Sequence, residues 1–306
     1  MAAPDLTAIV VAYRSAGHLP ACLEALSASA PGVDAELVVV DNASGDGTPA
    51  LVRRAAPGAR VIVNEANRGF AAAVNQAARL AAGRHLLLLN PDARPLPGCL
   101  ARLAAELDGA PDVAMAGPQL VDPGGTPQPS AWPAPGVKSL AYDALLLHNL
   151  APRSRLRLVT PEDEGSLDVE CLSGACLLVR RAAFESLGGL DERFFMYYED
   201  TDLAVRARAA GFRVRLVPAA RAVHLLGGSA FQDRREFLRR FYESRGRFLV
   251  KHHRGLRGAV MRGLHWSGLA VRTALYAAAG AASAERRAQA RDHAAVLLSR
   301  PSARRG

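Results

Sequence analysis

The sequence is poor in the features that mark several large protein classes. Only four of its 306 residues are cysteine (Cys22, Cys99, Cys171 and Cys176), and no two stand in a Cys-x-x-Cys pair. That scarcity argues against a zinc ribbon or a disulfide scaffold and leaves small buried thiols, reduced in a cytosolic compartment. The chain begins Met-Ala-Ala-Pro-Asp, without a basic segment followed by an apolar one, so a cleaved secretory signal is not expected. A long hydrophobic run is missing too. The least polar stretch, residues 264–282, contains His265 and Arg272, which argues against a membrane span. Neither a Walker P-loop nor Gly-x-Gly-x-x-Gly follows the first apolar strand, which disfavours a mononucleotide kinase or a dinucleotide oxidoreductase.

What is present is apolar bulk and an uneven charge. Half of the residues are hydrophobic but only 6% are aromatic, so alanine, leucine and valine do most of the packing. The length suffices for one large domain with an appendage. Residues 1–220 hold 20 Lys and Arg against 24 Asp and Glu, whereas residues 221–306 hold 18 against 5. The formal charge of +9 is therefore a property of the tail, and it suggests an anionic partner. The boundary is set at residue 230, with a domain over 1–230 and a basic helical extension over 231–306.

The first ninety residues alternate short apolar runs with amphipathic segments. Strands are predicted at residues 6–13, 36–41, 60–63 and 86–89, and helices at 19–28 and 70–82. Alternation with short connections implies βαβ units, hence an α/β fold with a sheet covered on both faces. Three strands end on polar residues: Tyr13-Arg14, Asp41-Asn42, and Asn90-Pro91-Asp92 after four consecutive leucines. Strand ends of this kind form the ligand-binding rim of open α/β sheets, although Asn-Pro-Asp is also a common turn. A helix opening at Gly69-Phe70 adds free backbone N–H groups, a ready site for an anion. A nucleotide fits this set, its base near one loop and its diphosphate near another.

Residues 119–165 are rich in proline, glycine and charge, and read either as a substrate cover or as an irregular excursion. Gly174-Ala175 then precedes a strand and lets a ligand approach the backbone. The segment Phe194-Phe195-Met196-Tyr197-Tyr198-Glu199-Asp200-Thr201-Asp202 delivers three acids to the start of a helix predicted at 201–210. One acid is explained by the helix dipole; three in four residues repel one another, which favours a functional use. A strand at 212–217 and a lone histidine, His224, follow. From residue 232 the chain is helical and basic. Its apolar stripe (Phe237, Leu238, Phe241, Tyr242, Phe248 and Leu249) suits either an interfacial helix on an anionic membrane or a helix packed on the domain. No nucleic-acid-binding module accompanies the charge, so nucleic acid is not expected as a partner.

Taken in order, these motifs resemble the family 2 inverting glycosyltransferases, with a GT-A fold, a Rossmann-like mixed sheet flanked by helices. They are Val10-Val11-Ala12-Tyr13, Val40-Asp41-Asn42-Ala43-Ser44, Asn67-Arg68-Gly69-Phe70 through Asn75, Leu89-Asn90-Pro91-Asp92, Ser173-Gly174-Ala175, Gly189-Leu190-Asp191-Glu192 and Tyr198-Glu199-Asp200-Thr201-Asp202. The rhamnosyltransferase subgroup, which uses dTDP-L-rhamnose in cell-wall and surface polysaccharide synthesis, is the most similar. The resemblance implies that Asp41 bonds the pyrimidine with Tyr13 beside it, and that Arg14 and Asn42 line the same donor pocket. Arg68, Gly69 and Asn90 would complete the donor side. Asp92 matches the metal-binding acid of the Asp-x-Asp motif and His224 a histidine near the diphosphate or metal, so Mg²⁺ or Mn²⁺ is the implied cofactor. Asn90 replaces the first acid of that motif. Asp200 matches the general base, with Glu199 orienting the acceptor or adjusting the base, and Gly174, Ala175 and Asp202 lie on the acceptor side. The implied partners are a nucleotide-diphospho-sugar, a glycan or polyprenyl-diphosphate-linked glycan, and the anionic inner face of the cell membrane. A UDP-sugar donor and a noncatalytic sugar-nucleotide- or glycan-binding subunit are the alternatives.

Overall fold

The computed structural model describes residues 3–29, 32–147, 165–225, 233–280 and 283–298. The chain divides into two compact units, one of Met1–Ala134 with Leu158–Ser229 and one of Pro135–Arg157 with Ala230–Gly306.

The first unit is built on a mixed sheet. Strands β1 (Leu6–Ala12), β2 (Ala35–Asp41), β3 (Arg60–Val63) and β4 (His85–Leu89) run parallel to one another. Helices α1 (Leu19–Ser29), α2 (Thr48–Ala55) and α3 (Phe70–Ala78) alternate with them, giving the expected βαβ pattern. The sheet continues through β5 (Ala93–Pro95), β6 (Val113–Val121), β10 (Cys176–Arg180) and β11 (Arg213–His224) in the order β3-β2-β1-β4-β10-β6-β11-β5. Two further short elements of this stretch are β7 (Ala131–Trp132) and β9 (Cys171–Leu172), which pair with each other, while β8 (Leu167–Asp168) pairs with β11.

The leucine run shows why these residues form these strands. Every residue of β1 and β4 is buried, and alternate side chains enter opposite layers. Leu87 and Leu89 join the core of α1 and of α4 (Cys99–Gly109), with Leu100 and Leu103. Leu86 and Leu88 join Ala73 and Val74 of α3 and Leu203 of α7 (Glu199–Ala209). Each such buried leucine contributes roughly 1.5–3 kcal/mol, so a polar residue in place of any of the four would forfeit that burial.

Register then decides which loops meet. Parallel pairing sets Ala12 opposite Asp41 and Val10 opposite Leu89, so β1, β2 and β4 end on one rim. β10 pairs with β4 antiparallel, Cys176 opposite Leu89, which brings Gly174-Ala175 to that same rim. The sequence suggested that the strand after α7 stops at Val217, yet β11 runs on to His224. Its last residues pair with β6 on one side and β5 on the other, setting His224 opposite Ala93 and therefore beside Asp92. The short helix α6 (Arg181–Ser186) follows β10, and α7 starts two residues earlier than its sequence predicted.

The second unit is helical, with α5 (Val137–Ala144), α8 (Arg234–His252), α9 (Gly255–Ala279) and α10 (Ala284–Leu298) among the described residues. The region 119–165 is thus shared between the units, and its residues 148–164 lie outside the described residues. The apolar stripe of α8 is not presented to the outside. Leu238 and Tyr242 are buried with Leu269 of α9 and Val296 of α10, and Phe248 and Leu249 are buried as well. Much of the helix's charge is also paired, Arg239 with Glu236 and Glu243, and Arg240 with Glu236. Arg245 is buried against His265 Nδ1 at 2.8 Å and lies 3.4 Å from the Asp143 carboxylate.

Candidate active site

The rim begins with Tyr13 and Arg14, both exposed, the Arg14 guanidinium 5.2 Å from the centre of the Tyr13 ring. Arg14 has a left-handed backbone (φ 51°), and its amide donates to the Ser44 hydroxyl at 3.1 Å. The hydroxyl of Ser44 lies within reach of the Ala12 carbonyl, and its amide donates to Asp41 Oδ1 at 3.3 Å. The loops after β1 and β2 are therefore bonded together, with the buried carboxylate of Asp41 at the strand end and an exposed aromatic–cation pair beside it. That is a platform on which a flat base can stack and a carboxylate that can accept from its N–H.

Asn42 sits differently from its expected role. Its Nδ2 donates to Asn67 Oδ1 (2.9 Å) and the Gly69 carbonyl (3.2 Å), while Oδ1 accepts from Asn64 Nδ2 and the Arg68 amide at 3.1 Å each. All four bonds available to a carboxamide are used, so Asn42 braces the 64–69 loop and has no capacity left for a ligand. The exposed Arg68 side chain remains on the rim, but the N–H groups expected to be free at the start of α3 are not: Gly69 donates to Asn67 Oδ1 at 3.0 Å and Phe70 to a backbone carbonyl.

The start of α3 anchors the aromatic segment. Gly69 has φ +84°, and a Cβ there would lie 2.5 Å from the Phe195 carbonyl oxygen, so only glycine fits. The next amide, Phe70 N–H, donates to that carbonyl at 2.7 Å. One helical face further on, Asn75 donates to the Leu190 carbonyl (2.8 Å) and to Glu192 Oε1 (3.0 Å), and accepts from the Leu190 amide (2.9 Å). Asn75 thus holds the Gly189–Glu192 turn in register with α3. Tyr197 and Tyr198 both have left-handed backbones, φ 68° and 69°, immediately before α7. For such residues that conformation costs on the order of 1–2 kcal/mol each, sustained by these anchors.

This strained turn delivers Glu199 and Asp200 as the first residues of α7. Asp200 Oδ1 accepts from the Thr201 amide (2.6 Å) and hydroxyl (3.2 Å), and Oδ2 accepts from the Gly174 amide (2.9 Å). Trp132 Nε1 donates in turn to the Thr201 hydroxyl at 3.4 Å. Removal from water raises the Asp200 pKa, against the opposing pull of its Gly174 and Thr201 bonds. Glu199 is pushed well above the usual carboxylate range, first by burial and then by the charge of Asp200. Its Oε2 is buried without a hydrogen-bond partner among the described residues. Burial, then the charges of Glu199 and Asp92, also raises the Tyr197 phenol, so the tyrosine lies within the field of both acids.

Asp92 is reached through the backbone. The residue after Gly174 accepts on its carbonyl from the Asn90 amide at 2.9 Å, so two peptide units link the loop bonded to Asp200 with the loop carrying Asp92. Asp92 Oδ1 is 3.6 Å from His224 Nε2, and His224 Nδ1 is buried with no partner among the described residues. One carboxylate and one imidazole at this spacing suit two ligands of a divalent ion whose other ligands come from phosphates and water. No group of three or more His, Cys, Asp or Glu able to hold a metal occurs among the described residues.

Asp202 is separate from this constellation. It is fully buried and pairs with Arg206 at 2.8 Å, and Arg206 donates to the Leu187 and Gly189 carbonyls at 2.7 Å each. It is turned inward to fix the glycine turn, away from an acceptor. Trp132, Tyr197 and the anchoring role of Asn75 join the site only in the folded chain. Trp132 comes close through the β7–β9 pairing, opposite Cys171, a contact with no local sequence signal. A groove of about 810 Å³, lined by residues including Leu23, Leu26, Val33 and Leu37, lies at the other end of β2. The charged residues lining it are Glu24 and Glu36, which would repel a diphosphate, so it is not this site.

A sugar-nucleotide-type α/β sheet with acids gathered from two strand ends, Asp41 and Asp92, and from the start of α7 defines a glycosyltransferase. The chain belongs to glycosyl transferase family 2, whose profile matches residues 7–188. It is 33% identical over 287 residues, 88% of this chain and 92% of the relative, to an N-acetylglucosaminyl-diphospho-decaprenol L-rhamnosyltransferase of Mycobacterium tuberculosis. A shorter match, 41% over 69 residues, joins it to the rhamnosyltransferase WbbL of Escherichia coli, covering 22% of this chain and 25% of that one. The mannosyltransferase PcManGT of Pyrobaculum calidifontis, solved with GDP-Man and Mn²⁺, shares the fold with a TM-score of 0.59 at 20% identity, over 97% of this chain and 86% of that one.

Proposed function

We propose that the protein transfers a hexose with inversion, L-rhamnose from dTDP-L-rhamnose, onto a hydroxyl of a polyprenyl-diphosphate-linked glycan in cell-wall or surface polysaccharide synthesis. The observation that carries the reading is the convergence of Asp92 and Asp200 on either side of Gly174-Ala175. The Mycobacterium tuberculosis relative, named for rhamnosyl transfer to a decaprenol-linked sugar, supports the choice of substrates. An acceptor of that kind lies at a membrane, so the protein works as a peripheral enzyme on its cytoplasmic face.

In this reading the base stacks on Tyr13 and Arg14 and bonds Asp41, while the exposed Arg68 side chain faces the diphosphate. Asp92 and His224 would hold a Mg²⁺ or Mn²⁺ ion, and such an ion would supply positive charge against the leaving diphosphate. Asp200 takes the proton from the acceptor hydroxyl as its oxygen attacks the anomeric carbon opposite the leaving group. Oδ1 already accepts two bonds and Oδ2 only one, so Oδ2 is the atom with a lone pair to receive that proton. Burial and the charge of Asp200 favour the protonated form of Glu199, in which it can donate a hydrogen bond beside the base without adding a second negative charge.

A thermal-shift panel of dTDP- and UDP-sugars, with and without Mg²⁺, tests the donor, because a ligand that binds the folded state raises its apparent stability. The expected result is the largest shift with dTDP-rhamnose. A panel with no shift for any sugar nucleotide would overturn the proposal, and a preference for UDP-sugars would replace the donor.

A further inference from the structure

Residues 244–284 contain no Asp or Glu and hold seven Lys and Arg. They span the end of α8, the corner at His253-Arg254 and all of α9. The corner is tightly built. Gly255 has φ +61°, and a Cβ at Gly258 would lie 2.2 Å from the His253 carbonyl oxygen, so α9 starts hard against the end of α8. His253 Nε2 lies 3.2 Å from the Pro135 carbonyl within the same unit.

This corner is covered by the wrong residues for a surface that faces water. Leu256 is 82% exposed, Val250 60% and Val260 44%. Arg247, Arg254 and Arg257 stand exposed among them, with no ion pair to any described residue. Leu256 and Val260 are one helical turn apart, and the face they begin continues along α9 through Gly263, Ser267 and Val271, all exposed and all uncharged. Isolated exposed leucines are ordinary, but a continuous apolar face edged by one sign of charge marks an interaction surface.

The chemistry of the patch selects its partner. A second copy of the chain would set arginine against arginine across the same face. A nucleic acid would satisfy the cations and leave the leucine and valines in water. An anionic bilayer takes both, with apolar side chains at the acyl boundary and guanidinium groups on lipid phosphates. We propose that the α8–α9 corner docks the protein on an anionic lipid surface, with Val250, Leu256 and Val260 entering the interface and Arg247, Arg254 and Arg257 meeting the headgroups. This moves the membrane contact from the stripe of α8, which is interior, to a surface its sequence pattern did not single out. The inference goes beyond the transfer chemistry and needs no turnover to be read.

The experiment is co-sedimentation of the full chain with phosphatidylcholine vesicles, with and without about one-third phosphatidylglycerol. Binding is expected to the anionic vesicles and to fall with added salt. Leu256→Glu, and Arg254→Glu combined with Arg257→Glu, should each weaken it by roughly tenfold or more. Both variants should keep the circular dichroism and the sugar-nucleotide thermal shift of the parent protein, since all three positions are exposed. A third variant, Leu256→Trp, should strengthen binding. Unchanged vesicle binding in both glutamate variants would overturn the proposal. So would a loss of dimer on sizing caused by Leu256→Glu, which would make the face a self-interface, or binding to an oligonucleotide in preference to the vesicles.

Discussion

The Gly174 amide donates to Asp200 Oδ2 at 2.9 Å, and a Cβ built at Gly174 would lie 3.3 Å from that same oxygen. The glycine therefore both fixes the carboxylate and leaves its remaining lone pair open. Gly174→Ala should lower kcat by about 10- to 100-fold with little change in the donor-induced thermal shift, because the methyl group crowds the acceptor side. Steady-state kinetics with a soluble acceptor, beside the thermal shift, separate the two effects.

The Trp132–Thr201–Asp200 chain yields a second expectation. Trp132→Phe keeps the ring and removes the N–H that orients the Thr201 hydroxyl. Weaker donation to Oδ1 destabilises the charged form of Asp200, so the acid limb of the kcat profile should move to higher pH. The parent limb itself is expected above the ordinary aspartate value of about 3.9, because burial raises the Asp200 pKa. A limb unmoved in Trp132→Phe would show that the indole serves packing alone.

Glu199 predicts a stability effect whose sign follows from its raised pKa. In the unfolded chain it loses its proton near pH 4.3, whereas the folded protein retains it to higher pH, so the folded state binds more protons in between and stability falls as pH rises. Glu199→Gln removes this dependence. Its Tm relative to the parent should rise steadily from about pH 4.5 upward, and a gap that does not change with pH would contradict a protonated Glu199.

The aromatic segment should respond to changes at the start and on the face of α3 that anchor it. Gly69→Ala forces a side chain to within 2.5 Å of the Phe195 carbonyl oxygen, and Asn75→Ala removes three bonds to the Leu190–Glu192 turn. Each should cost about 1–3 kcal/mol of stability in denaturant titrations and lower kcat more than it alters donor binding.

Much of this site was legible in the sequence because it rests on local rules. Strand ends after Val40 and Leu89 announced Asp41 and Asp92, and the helix start announced Glu199 and Asp200. What could not be read is whatever register decides. Asp202 and Asp200 stand in the same acidic run, yet one turn of α7 points the first at Arg206 inside the protein and the second at Gly174 on the rim. Asn42 follows Asp41 but spends its four bonds on the 64–69 loop. His224 gained its place from the pairing of β11 with β5, and the α8 stripe was covered by α9 and α10, partners that periodicity along a single helix cannot name.

The most direct test compares Asp200→Asn and Asp92→Asn with the parent protein, measuring donor binding and sugar transfer in the same preparation. Asp200→Asn should bind dTDP-rhamnose as the parent does and transfer it at least about 10²–10⁴ times more slowly, while Asp92→Asn should lose metal-dependent donor binding as well. Transfer by Asp200→Asn at a rate near that of the parent would contradict the account.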